Sequence, residues 1–246
     1  ALLRVADAIA AAPGVVAIVV VSGTPGCFCG GFDLDELDGL TSAHDGSDAA
    51  RVAQQALDRL ESMGLPVVVA IDGPCLGVGL DLALVARHRV ATDVDATRLG
   101  HPEVGLGVPP AAGGTQRLPA AVAPDLALEL LCSGRVLSAR EALDCGLVHD
   151  LVGAGTEREV AIVQARALAA RGARRRGGLR SWLASGVGAG RPRPPTGRQR
   201  DAAFRRARGR WEKDGAARSR AVAWIIDAVV EGLERGPRAG QEEIGR

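Results

Sequence analysis

GPCLGVGLDLAL, residues 73–84, follows the apolar run LPVVVAI and leads into a helical pattern. Strand, glycine turn and helix together make the layout that cradles a dinucleotide phosphate. That loop calls for Gly-x-Gly-x-x-Gly; Gly77 and Gly79 meet its first two positions, but Leu82 stands at the third. Asp93 and Asp95 are available as ribose-binding carboxylates, though acids are common in any chain. A phosphate loop would need Gly-Lys-Ser/Thr, which is absent. Nucleotide binding is therefore the weaker reading. Gly77 and Gly79 permit a tight turn from strand to helix whatever else they do. Asp81 is less easily explained, because it sits in the first helical turn among Leu80, Leu82 and Leu84. An acid there gains from the helix N-terminus, so simple capping competes with a chemical role.

The flanking segments alternate in the same way. Residues 2–9 carry apolar positions at helical spacing, and Pro13-Gly14 ends that helix. VVAIVVVSG reads as a strand covered on both faces. TPGCFCGGFDLDEL is a glycine-rich loop, and residues 48–63 read as a helix with Ser47 as N-cap. PVVVAI is a second buried strand, then come a helix over 79–87 and a third strand at HRVATD. This alternation implies an α/β domain with parallel strands. Further on, GGTQRLP and DLALELLCSG read as helical turns. SAREALDCG reads as a short helix capped by Ser138 and stopped at Gly146, and LVHDLV as a strand. From Glu157 the pattern is helical and arginine-rich, with a linker-like stretch over 186–197. The last helix, over 217–234, puts Val222, Ile225, Ile226, Val229 and Leu233 on one stripe. The expected division is a core over 1–153, a helical region over 154–236 and an irregular tail over 237–246.

Composition narrows the partners. The 246 residues are 47% hydrophobic and 24% charged, ordinary for a soluble globular protein, with a net charge of +1. No global field draws nucleic acid or anionic lipid. Arginines crowd residues 171–220; a solvated surface is the plainer reading, an anion site the other. Cys27, Cys29, Cys75, Cys132 and Cys145 form no Cys-x-x-Cys pair, and the four histidines lack ligand spacing. The expectation is a reducing, cytoplasmic compartment with no disulfide framework, metal or resident cofactor. No run reaches the roughly 18 apolar residues of a membrane helix.

The segment LGHPEVGLGVPPAAGGTQRLP, residues 99–119, adds the second strong pattern. Together with FCGGFDLDEL and GPCLGVGLDLAL it resembles the enoyl-CoA hydratase/isomerase (crotonase) family from about residue 15 to 152. HRVATD, TRLGHPEVGLG and GGTQRLP bring it nearest to the hydratase domain of multifunctional β-oxidation enzymes. The last helix looks like the linker helix before their dehydrogenase domain. The resemblance implies a spiral of ββα turns with a C-terminal helical region, and an acyl-CoA thioester as ligand. It assigns oxyanion-hole N–H groups to Phe32 and Val78, with Gly31, Asp33, Gly77 and Gly79 flanking the substrate. It assigns the carboxylate pair to Asp81 and Glu103, at the separation of the multifunctional branch. It further implies a homotrimer or hexamer, or a part of a larger β-oxidation enzyme.

The chemistry suits these residue types. Hydration of a 2-enoyl thioester builds charge on the thioester oxygen, and losing one backbone donor aimed there costs about 3–4 kcal/mol. Two neighbouring acids divide the proton work, because like charges push their pKa values apart. By the resemblance, Asp81 is the water-activating base and Glu103 the acid serving the α-carbon. Three positions depart from the family pattern. Asp81 replaces the usual glutamate and is shorter by one C–C bond, roughly 1.5 Å. Val78 replaces a glycine, and Phe32 a small residue. The alternatives are a Δ3-Δ2-enoyl-CoA isomerase using Glu103 alone, and a catalytically weak acyl-CoA-binding module.

Overall fold

The computed structural model describes residues 2–33, 35, 36, 39, 42–174, 202, 204–206, 209 and 220–244. The linker-like stretch over 186–197 and most of the arginine-rich segment lie outside these residues.

Two small sheets carry the core. The larger has four parallel strands: β1 (Ile18–Val20), β2 (Val67–Ile71), β4 (His88–Thr92) and β7 (Asp150–Val152), in the order β1-β2-β4-β7. Val67 pairs with Ile18 on one side, and Val69 with Arg89 on the other. The smaller sheet joins β3 (Cys75–Leu76), β5 (Arg98–Gly100) and β6 (Leu137–Ser138), in the order β3-β5-β6. The short β3 continues directly from the turn after β2, so the chain switches sheets just before the glycine turn. That switch is a ββα step of the kind the resemblance implies.

Strand β2 is apolar at every position because both its faces are covered. Val67, Val69 and Ile71 belong to the main core, and Val68 and Ala70 to a second cluster with Val90, Ala161 and Ala165. The last two come from α7 (Glu157–Arg174), which covers the far face of the sheet. Strand β1 lies at the sheet edge, and only Ile18 of its three residues is buried. Its β-branched run therefore overstated its coverage.

Among the described residues the α-helices include α1 (Leu2–Ala11), α2 (Ala43–Ser62), α3 (Val78–Val85), α4 (Gly114–Ala121), α5 (Pro124–Ser133), α6 (Ala139–Asp144), α7, α8 (Arg220–Arg235) and α9 (Pro237–Ile244). Helix α2 starts at Ser42, not at Ser47. The Ser42 hydroxyl accepts the Asp45 N–H at 3.2 Å, and the Asp45 carboxylate accepts the Ser42 N–H at 3.0 Å. Ser138 makes the same reciprocal cap with Glu141 at α6, where the sequence places it. Val222, Ile225, Ile226 and Val229 of α8 join the main core, and Gln116 of α4 donates to the Ala228 carbonyl at 2.8 Å. The irregular tail expected after Gly236 is instead α9. Gly236 takes φ 99°, and Pro237 at the first helical position restarts the helix. All five cysteines are free thiols. No described helix is long and apolar enough to cross a membrane.

Candidate active site

The site begins where the first glycine loop docks on β3. Cys29 forms an isolated parallel bridge with Cys75. Its N–H donates to the Pro74 carbonyl at 2.9 Å, and its carbonyl accepts the Leu76 N–H at 2.9 Å. This pairing lays Gly31 and Phe32 beside the turn at Gly77. A Cβ on Gly77 would stand 3.6 Å from the Gly31 Cα. Both glycines take positive φ, 117° at Gly31 and 53° at Gly77, so each loop turns in a way other residues resist.

Gly77 donates its own N–H to the Gly100 carbonyl at 2.9 Å, which pins the turn to β5. The chain then enters α3, where first-turn N–H groups have no intrahelical acceptor. Among the described residues, no protein acceptor takes the N–H of Phe32 or of Val78. Two free amides therefore lie on adjoining turns.

The acidic groups reach this place from different elements. Glu103 lies in a 3₁₀ turn, Pro102–Leu106, that follows β5 directly. Its carboxyl folds back so that Oε1 lies 2.7 Å from where a Gly77 Cβ would stand. Asp81 comes from the first turn of α3 and is 1% exposed. Its Oδ1 meets Nε2 of His101, which is fully buried, at 2.7 Å. Both groups press on the start of α4: a Cβ on Gly114 would collide with Asp81 Oδ1 and stand 2.5 Å from His101 Nε2. The Asp81 carboxylate thus lies at the N-terminal ends of two helices, which favours its charge.

Three atoms of this group, Asp81 Oδ2, His101 Nδ1 and Glu103 Oε2, are buried without a hydrogen-bond partner. Burial raises the Glu103 pKa; the His101 charge and a backbone hydrogen bond pull it back in part, and the Asp81 charge adds to the rise. For His101, burial acts to lower the pKa, but the charge and hydrogen bond of Asp81, with the charge of Glu103, leave it raised. A carboxyl that keeps its proton longer than usual is suited to give one up to carbon at neutral pH.

The structure brings together Gly31, Phe32, Gly77, Val78 and Glu103, with Asp81 deeper behind them. It leaves Asp33 outside, exposed, its carboxylate accepting the Asp35 N–H at 3.0 Å. Gly79 serves packing: a Cβ there would stand 2.6 Å from the Cys29 carbonyl oxygen. His101 is the site residue that sequence reasoning passed over. It precedes Pro102-Glu103 within the second motif, but its partner Asp81 is far away in the chain.

The chain belongs to the enoyl-CoA hydratase/isomerase family, whose model matches residues 3–177. It is 38% identical over 229 residues to the fatty acid oxidation complex subunit alpha of Idiomarina loihiensis, covering 93% of this chain and 31% of that one. The chain thus spans under a third of that curated relative's length. Among solved structures, an enoyl-CoA hydratase from Bacillus anthracis superposes with a TM-score of 0.64 at 27% identity, covering 88% of this chain and 83% of that one. DspI of Pseudomonas aeruginosa superposes with a TM-score of 0.64 at 25% identity, covering 94% and 80%. The fold is the crotonase fold.

Proposed function

We propose that the chain adds water across the 2,3 double bond of a 2-enoyl-CoA, as a cytoplasmic step of fatty-acid β-oxidation. The observation that carries this reading is the Glu103 carboxyl held against the Gly77 turn, beside two free backbone amides. The thioester oxygen accepts the N–H groups of Phe32 and Val78. These stabilise the negative charge that grows as water attacks C3. Asp81 takes a proton from that water through Oδ2, and Glu103 delivers one to C2. The elements of water are conserved, so the reaction as written needs no resident cofactor or metal. The names of the relatives support the pathway and an acyl-CoA partner. They also support the reading that this segment works within a larger β-oxidation enzyme.

A second reading has its own support. His101 holds Asp81 by one oxygen, while Glu103 stands nearer the glycine turns. A Δ3-Δ2-enoyl-CoA isomerase would move its proton with Glu103 alone. Crotonyl-CoA hydration and 3-enoyl-CoA isomerisation, measured for the wild type, Glu103→Gln and Asp81→Asn across acyl lengths, separate the two. Hydration lost in both variants supports the hydratase. Isomerisation that survives in Asp81→Asn but not in Glu103→Gln supports the isomerase. Tight binding of a CoA thioester with no turnover of either substrate overturns both readings in favour of a binding module.

A further inference from the structure

We propose that His101 is a positioning residue: by donating Nε2–H to Asp81 Oδ1 it fixes that carboxylate and leaves Oδ2 as the acceptor for the proton of the attacking water. The inference rests on the hydration reading of Asp81.

Three observations carry it. The contact is 2.7 Å between two side chains almost wholly withdrawn from water, so solvent does not compete for either atom. The carboxyl torsion of an aspartate is broad and roughly two-fold. A 2.7 Å bond on one oxygen removes that freedom, and the bare Cα of Gly114 leaves room for the pair and little else. Last, His101 Nδ1 meets no partner. A buried histidine kept for stability normally satisfies both ring nitrogens. This one is engaged only through the side that faces Asp81.

The same arrangement handles charge. Two acids close together in a dry place repel, and an imidazolium next to both relieves this. The titratable groups around His101 are Asp81 from α3 and Glu103 from its own segment, with the Cys75 thiol of β3 beside Asp81. The start of α4 contributes only the uncharged Gly114.

The test has a kinetic arm and a spectroscopic arm. His101→Leu removes donor and charge; hydration kcat falls about a hundredfold with KM for the thioester little changed, the scale of loss for a misplaced catalytic group. His101→Gln returns an N–H without charge. It recovers much of kcat, because a donor to Asp81 Oδ1 is restored. Wild-type kcat in both variants, or no recovery of kcat in a folded His101→Gln, overturns the proposal. Thermal melts show whether each variant is folded, and His101→Asn replaces any that is not. The second arm follows the four imidazoles by ¹⁵N-resolved NMR, with His101 assigned through His101→Gln. The expected result is an Nε2 that stays protonated across the titration and a pKa that drops in Asp81→Asn. A His101 titration untouched by Asp81→Asn overturns the dyad, whether or not any enoyl thioester turns over. A wild type that hydrates nothing, with the NMR coupling intact, sinks the hydratase reading and leaves the dyad standing.

Discussion

Arg89 and the Asp81–His101–Glu103 group are both charged and both withdrawn from water, yet they are built on opposite plans. Arg89, on β4, is 6% exposed. Its guanidinium donates to the carbonyls of Leu147 at 2.5 Å, Ala86 at 2.6 Å and Ala83 at 3.4 Å. Its backbone N–H donates to His149 Nδ1 at 3.1 Å. Burial lowers its pKa to about 10, so it stays charged at neutral pH. The acidic group has three buried polar atoms with no partner. A satisfied buried charge stitches elements together. An unsatisfied one is retained at the expense of stability, which is expected where chemistry is done.

The largest expected effect tests the chemical side of this contrast. Glu103→Gln keeps the shape and removes the proton donor, so hydration should fall roughly a thousandfold, within the range for general acid catalysis. Thioester binding, read by calorimetry, should persist. A variant that hydrates at the wild-type rate would remove Glu103 from the chemistry. Asp81→Asn should lower hydration by about a hundredfold at neutral pH, since an amide accepts no proton from water.

The next effect tests the structural side. Arg89→Met strands the carbonyls that the guanidinium serves. It should destabilise by about 3 kcal/mol, a melting shift of roughly 6–12 °C for a chain of this size. KM for an enoyl-CoA should not move. A variant that melts normally but binds poorly would make Arg89 a site residue and dissolve the comparison.

The smallest effect reads the cost of the unsatisfied group. The Glu103 pKa is raised above its ordinary 4.5 by burial. Between that value and its folded pKa, the folded state binds more protons than the unfolded one. Stability from this group therefore falls as pH rises through the window. Glu103→Gln should melt a few degrees above the wild type at neutral pH, and the gap should close toward pH 4. An equal gap at both pH values would mean that the ionised carboxylate is not the source of the cost.

Features held by neighbours in the chain were legible from residues alone. The Ser138–Glu141 cap and the helical stripe of α8 each depend on partners within a turn or two. Strand β2, apolar throughout, declared that it was covered on both faces. The misreadings have physical causes. Ser42 and Ser47 both suit a cap, and the Asp45 side chain that closes the box on Ser42 chose between them. The stretch after Gly236 was expected to be irregular, yet Pro237, following a glycine with positive φ, is a good first residue for another helix. His101 was unreadable because its meaning lies in Asp81, brought in by α3 and confined by Gly114.

The residues by themselves determined the glycine turns, the order of strand and helix, and the acids available to the site. These follow from backbone freedom and apolar period, which act locally. Tertiary structure alone decided that Gly31 abuts Gly77 and that Glu103 folds back onto that turn. It also decided that Asp81 faces an imidazole and that Asp33 stays outside. Those outcomes depend on how β3 and β5 pair and how α4 seats against α3, and such long-range closures leave no short-range mark in the chain.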